Sequence, residues 1–104
     1  MPLDVTFDAL ANQTRREILA RLSASPVLTP EIGRSFAFSK QALSRHVAIL
    51  EGAGLVRRTV RGRVHELTLV HGPLAEVSDW LSEIRRGWRA NLDRLDIVLR
   101  SMDE

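Results

Sequence analysis

Apolar residues recur at helical spacing through most of the chain. Leu3, Phe7 and Leu10 stand at i, i+4 and i+7 and predict a first helix from about Leu3 to Ala11. Ile18, Leu19 and Leu22 make one face of a second helix, with Asn12 placed to cap it. Residues 23–28 contain Pro26 and read as a loop. Thr29-Pro30-Glu31 offers a capping hydroxyl, a proline at the first helical position and an acid in the first turn. It therefore starts a short third helix ending near Ser35 to Ala37. Ser39 caps a fourth, Lys40 to about Ala53, which Gly54 closes. The chain then turns β-rich: Leu55 to Val60 and Val64 to Leu69 read as a hairpin turned by Arg61-Gly62-Arg63. Gly72-Pro73 breaks the chain and begins a last helix that can run to about Met102.

This order predicts a mainly α fold with a small β-hairpin (α+β). Three helices followed by a two-stranded hairpin give a winged helix-turn-helix, with 29–53 as the helix-turn-helix and 55–69 as the wing. The helices at 1–11 and 73–102 are additions to that unit. No repeat or flexible linker divides the chain, so residues 1–104 read as a single domain.

The last helix carries more apolar surface than a domain of this size needs for itself. Leu74, Val77, Leu81, Ile84, Trp88, Leu95, Val98 and Met102 follow a 4-3 heptad seam, with Asn91 at its one polar position and Leu92 and Leu99 widening it. About 30 residues of helix span ~45 Å. Either the helix folds back on its own domain or a second copy covers it, and a homodimer is the economical answer. A buried Asn91 would then set register at some cost in stability.

Composition narrows the chemistry. The chain has 104 residues and no cysteine, which excludes disulfides, thiolate catalysis and cysteine-ligated zinc. No apolar run reaches the ~20 residues of a membrane span, and the N-terminus lacks a secretory pattern, so a cytoplasmic protein without membrane contact is expected. No serine has a readable histidine–acid partner set and no phosphate-binding glycine loop is present, so an enzyme is not expected. The net charge of +2 says little as a sum. Divided along the chain it is −1 over residues 1–33, +6 over 34–65 and −3 over 66–104. The basic charge lies on the helix-turn-helix and wing.

On the fourth helix Leu43, Val47 and Leu50 point inward, leaving Gln41, Ser44, Arg45, Ala48 and Gly52 outward. Hydrogen-bonding side chains near the N-terminal end, followed by small ones, suit a helix entering the major groove of double-stranded DNA. Gln41 can pair bidentately with adenine and Arg45 with guanine, while Ser44 can donate or accept. Ser39 and Lys40, at the positive end of the helix dipole, suit phosphate. An ordinary solvated face would look similar on the helix alone. The wing adds Arg57, Arg58, Arg61 and Arg63 with no acid until Glu66, a cluster that a polyanion would relieve. Its narrow tip could reach a minor groove. Arg57 and Arg58 face opposite sides of a strand, so one of them is expected to meet phosphate; the other reading of the cluster is a solubilising turn. His46 points partly inward and reads as a packed, hydrogen-bonded histidine rather than a base contact.

The stretches ALANQTRREILARLSASP and FSKQALSRHVAILEGAGLVRRTVRGRVHELTL, with the closing helix, resemble the ArsR/SmtB-type family of bacterial winged-helix repressors. The resemblance runs from about Phe7 to Met102 and is most specific from Ser39 to Gly62. It implies a homodimer that occupies an inverted-repeat operator and blocks transcription until a signal releases it. It also implies that the terminal helices make the dimer, with Leu3, Phe7 and Leu10 as companions to the last helix. Two departures stand out: Ala37, between Phe36 and Phe38, where members often have glycine, and Gly33 where alanine is more usual. Family metal sites use cysteines before the turn or histidines and acids on the last helix. The last helix here has Asp79, Glu83, Asp93 and Asp96, but no histidine lies beyond His71. Carboxylates alone hold transition metals poorly, and His46, His65 and His71 lack ligand spacing. No metal site or cofactor is expected; an inducer, where one exists, would be a small molecule or a protein. The competing class is a winged-helix module that docks another protein through its C-terminal helix.

Overall fold

The computed structural model describes residues 3–36 and 39–102, so the expected departure at Ala37 and Phe38 lies outside the described residues. The elements run α1 (Leu3–Leu10), α2 (Gln13–Ala24), β1 (Val27–Leu28), α3 (Thr29–Ser35), α4 (Lys40–Gly52), β2 (Val56–Arg61), β3 (Val64–Leu69) and α5 (Gly72–Met102). The sheet is antiparallel, in the order β1-β3-β2.

Caps fix the helix ends where the sequence placed most of them. Asn12, in extended backbone, accepts from the Arg15 N–H at 3.1 Å and starts α2. Ser39 does the same for α4, accepting from the Ala42 N–H at 3.1 Å. Gly54 ends α4 with a φ of 74°; its N–H donates to the Glu51 carbonyl and the Leu55 N–H to that of Leu50. This double return of the chain satisfies the last carbonyls and needs a residue in the left-handed region, hence glycine. The carbonyls at the end of α1 are capped by side chains instead. Arg15 donates from Nε to the Ala9 oxygen (2.7 Å) and from Nη2 to that of Asp8 (3.0 Å), and Arg16 donates to that of Leu10 (2.7 Å).

Two expectations are corrected between α2 and α3. Residues 27–28, expected as loop, form β1 and pair with Leu67 and Glu66 of β3. Thr29 is the first helical residue of α3 rather than its cap. Leu28 holds that place, its backbone extended in the ladder, and its apolar side chain has no acceptor with which to make a cap bond. Pro30 does sit in the first turn. At Gly33 an added Cβ would meet only the Leu43 side chain at 3.7 Å, ordinary contact, so space does not require glycine there.

The core lies between the helices and the sheet. Ile18, Ile32, Leu50, Leu55 and Leu67 are fully buried, and Leu43 and Val47 join them from α4. Leu10 and Leu74 pack on this cluster from α1 and α5. Thr6 of α1 is also fully buried, and its hydroxyl has no hydrogen-bond partner among the described residues. Removing an unsatisfied buried hydroxyl without changing shape should stabilise: Thr6→Val is expected to raise unfolding free energy by about 1 kcal/mol, read by denaturant titration.

Only the first turns of α5 belong to this body. Pro73 is buried, and Trp80 meets Phe7 of α1 edge to face, with ring centroids 5.3 Å apart at 72°. Beyond Leu81 the helix runs on with nearly every residue exposed. The protomer therefore measures 73 Å along its longest axis, with a radius of gyration of 19.8 Å against the ~13 Å of a compact chain this long. Among the described residues no helix is long and apolar enough to cross a membrane.

Candidate nucleic-acid interface

The outward face of α4 is as the sequence predicts. Leu43, Val47 and Leu50 are buried, and Gln41, Ser44, Arg45, Ala48 and Gly52 are exposed. Among the described residues, Lys40, Gln41, Ser44 and Arg45 make no side-chain hydrogen bond or ion pair, so their polar ends are free to meet a ligand. Ser39 has one lone pair committed to the cap and keeps its hydroxyl proton to donate.

Beside this face lies an open groove of about 510 Å³ between α3, α4 and the hairpin. Ile32, Leu43, Val47 and Leu67 form its apolar floor, and Arg34, Lys40, Arg58 and Arg63 stand along its sides. Among its described lining residues there is no carboxylate. Helix and wing thus present cations to one shared channel.

The hairpin closes tightly. Arg61 pairs with Val64, leaving Gly62 and Arg63 as a two-residue loop with Gly62 at φ 64°. A positive φ at the first loop position is the type II′ pattern, which matches the twist of paired strands.

The expectation of four unneutralised wing arginines is corrected. Arg58 binds Glu51, with Nη2–Oε1 at 2.6 Å and Nε–Oε2 at 3.3 Å, and Nη1 lies 3.0 Å from His65 Nδ1. Arg61 reaches Glu66 at 3.3 Å. The ladder register explains both. Glu66 pairs with Thr59 and so lies diagonally across from Arg61, as His65, paired with Val60, does from Arg58. Glu51 comes beside the wing only because Gly54 reverses the chain. Arg57 and Arg63 make no such contact among the described residues.

The residues expected at a dimer interface divide into two groups. Leu10 and Leu74 pack on the core, Phe7 on Trp80, and Leu3 and Val77 are half-buried. Leu81, Ile84, Trp88, Leu95 and Val98 are exposed, Trp88 by 62% and Leu95 by 53%. Asn91 is exposed too, its Oδ1 accepting from Arg94 at 2.9 Å on the same helix. His46 is half-buried, as expected of a packed histidine, with Nδ1 3.4 Å from Arg15 Nη1. The described residues hold no cluster of three or more potential metal ligands.

Sequence reasoning missed two groups of functional weight: Glu51 with His65, and the pair Arg15 and Arg16. A lone acid inside a basic stretch was the available signal for Glu51; nothing in the local pattern marks the others.

The helix-turn-helix domain family model matches residues 10–59. The chain is 38% identical over 66 residues to the HTH-type transcriptional regulator Rv2034 of Mycobacterium tuberculosis, and that stretch is 62% of each chain. It is 30% identical over 92 residues to the uncharacterized HTH-type transcriptional regulator YuzN of Bacillus subtilis, covering 82% of this chain and 92% of that one. The chain thus spans less than two thirds of the first relative and most of the second. Among solved structures, the ArsR family transcriptional regulator RHA00566 superposes with a TM-score of 0.79 at 33% identity, over 84% of this chain and 96% of that one.

Proposed function

The chain belongs to the ArsR family of winged helix-turn-helix transcriptional regulators, and from that premise we propose that it works as a homodimeric repressor on an inverted-repeat operator. The observation that carries this reading is the exposed polar face of α4, set beside a groove lined by cations without a carboxylate. In it α4 enters the major groove, with Gln41, Ser44 and Arg45 on base edges. Ser39, Lys40, Arg57 and Arg63 hold phosphates, and Arg61, held to Glu66 through one nitrogen at 3.3 Å and 62% exposed, can add a contact with its remaining N–H groups. The distal stripe of α5 meets its counterpart in a second copy, setting two reading helices about one DNA turn, ~34 Å, apart. Where a signal releases it, that signal is a small molecule or partner protein rather than a bound metal.

Binding measured against salt tests the proposal. Affinity for the protein's own promoter duplex should fall steeply as salt rises, by about one counterion per phosphate contact, and should exceed that for random duplex. Arg63→Ala should weaken all duplexes alike and reduce the slope by about one. Equal affinity for promoter and random DNA would overturn it. The exposed distal half of α5 favours a second reading, a module that docks another protein there; a protein monomeric at micromolar concentration would support that instead.

A further inference from the structure

We propose that Arg58 is not a DNA contact but a strut that fixes the angle of the wing to the recognition helix, with Glu51 as its anchor and His65 as its third support. The proposal rests on the DNA-binding reading above. All three guanidinium nitrogens of Arg58 are engaged: Nε and Nη2 with the two carboxylate oxygens of Glu51, Nη1 with His65 Nδ1. This fork-to-fork pairing fixes direction as well as distance. Arginine can only donate, so His65 accepts through an Nδ1 lone pair. Arg58 lies in the exposed run of the hairpin with Arg57 and Arg63, and its side chain and that of Glu51 keep 31% and 32% of their surface open.

The positions of the three residues give the link its mechanical meaning. Glu51 lies in the last turn of α4, Arg58 in the middle of β2 and His65 near the start of β3. The bond set therefore ties both strands of the wing to the end of the helix that reads the major groove. Outward from Arg58 and His65, Thr59 to Arg63 carry no buried residue, so the apolar core that seats the base of the wing through Val56 and Leu67 does not reach the tip. Were Arg58 to swing out to a phosphate, it would leave Glu51 as a bare carboxylate facing a polyanion. That is a like-charge approach, and it works against binding.

Glu51→Gln separates the two roles by sign. Were Arg58 a phosphate contact held back by Glu51, this change would free it, remove a negative charge and tighten binding. A strut predicts the reverse: operator affinity falls about fivefold, the equivalent of one well-formed ion pair. Arg58→Ala should weaken binding by a similar factor without altering the salt slope, and the double variant should be no weaker than either single one. Arg63→Ala supplies the reference for a lost phosphate contact. The charge-reversed pair Glu51→Arg with Arg58→Glu should regain affinity, and denaturant titration of each variant separates this from a change in folding stability.

One measurement needs no DNA. In the free protein, amide residual dipolar couplings of the hairpin should fit one rigid body with α4, and Glu51→Gln should shrink those of the tip. Tighter binding by Glu51→Gln, a slope lowered by Arg58→Ala, or unchanged tip couplings would each overturn the strut. Failure of the unaltered protein to bind any duplex would overturn the DNA reading instead, and the couplings would still decide the strut.

Discussion

Replacing Leu95 with aspartate is expected to yield a folded monomer whose affinity for an inverted-repeat operator is lower by about 10²–10⁴-fold. Leu95 is more than half exposed and lies far along α5 from the core, so the protomer loses no packing of its own. Between two copies, however, the same position would bury a carboxylate in an apolar seam, where an unpaired charge is costly. The size of the loss follows from linkage. Two reading heads on one body make the second engagement intramolecular, at an effective concentration in the millimolar range. A monomer must bind each half-site alone. Sedimentation equilibrium with fluorescence anisotropy on one- and two-half-site duplexes checks this. The same variant binding the full operator as a monomer at undiminished affinity would refute the symmetric arrangement.

Arg45→Ala is expected to cost about 1–3 kcal/mol in operator binding and to erase preference at one base position. Gln41→Ala should cost a similar amount at a neighbouring position. Both side chains are exposed, so removing either leaves the fold intact and the loss reads on DNA alone. Competition among duplexes with single-base changes is the measurement. Arg63→Ala, by contrast, should lower affinity without changing which base is preferred. If the wing variant changed sequence choice and the helix variants did not, the roles of the two elements would be reversed.

What the sequence disclosed about the fold follows the range of the forces involved. Asn12, Ser39 and Gly54 act within a few residues of themselves, and each caps the helix it was expected to cap. Leu43, Val47 and Leu50 repeat at helical spacing and are buried together. A two-residue strand has no period to detect, so Val27 and Leu28 gave no signal until β3 was beside them. The Glu51–Arg58 pair was hidden for a different reason. Seven residues apart, the two meet only through the reversal at Gly54, and counting charge along the chain left Arg58 unneutralised.

The α5 stripe shows the limit of a pattern read against an assumed geometry. A strict heptad places Asn91 and Val98 on the seam. On a straight helix turning ~100° per residue, Leu92 and Leu99 lie within about 40° of Trp88, and Asn91 and Val98 fall roughly 60–80° to one side. Asn91 bonding to Arg94 on its own helix suits that flanking position. The choice between the two seams depends on whether a partner winds the helix into a supercoil.

The length of α5 also governs how the protein travels through a column. A protomer 73 Å long and 27 by 22 Å across has more drag than a sphere of 11.7 kDa. It should leave a size-exclusion column early, in the volume of a compact particle of greater mass. An early peak from the Leu95→Asp protein would therefore report the shape of one chain rather than the presence of two.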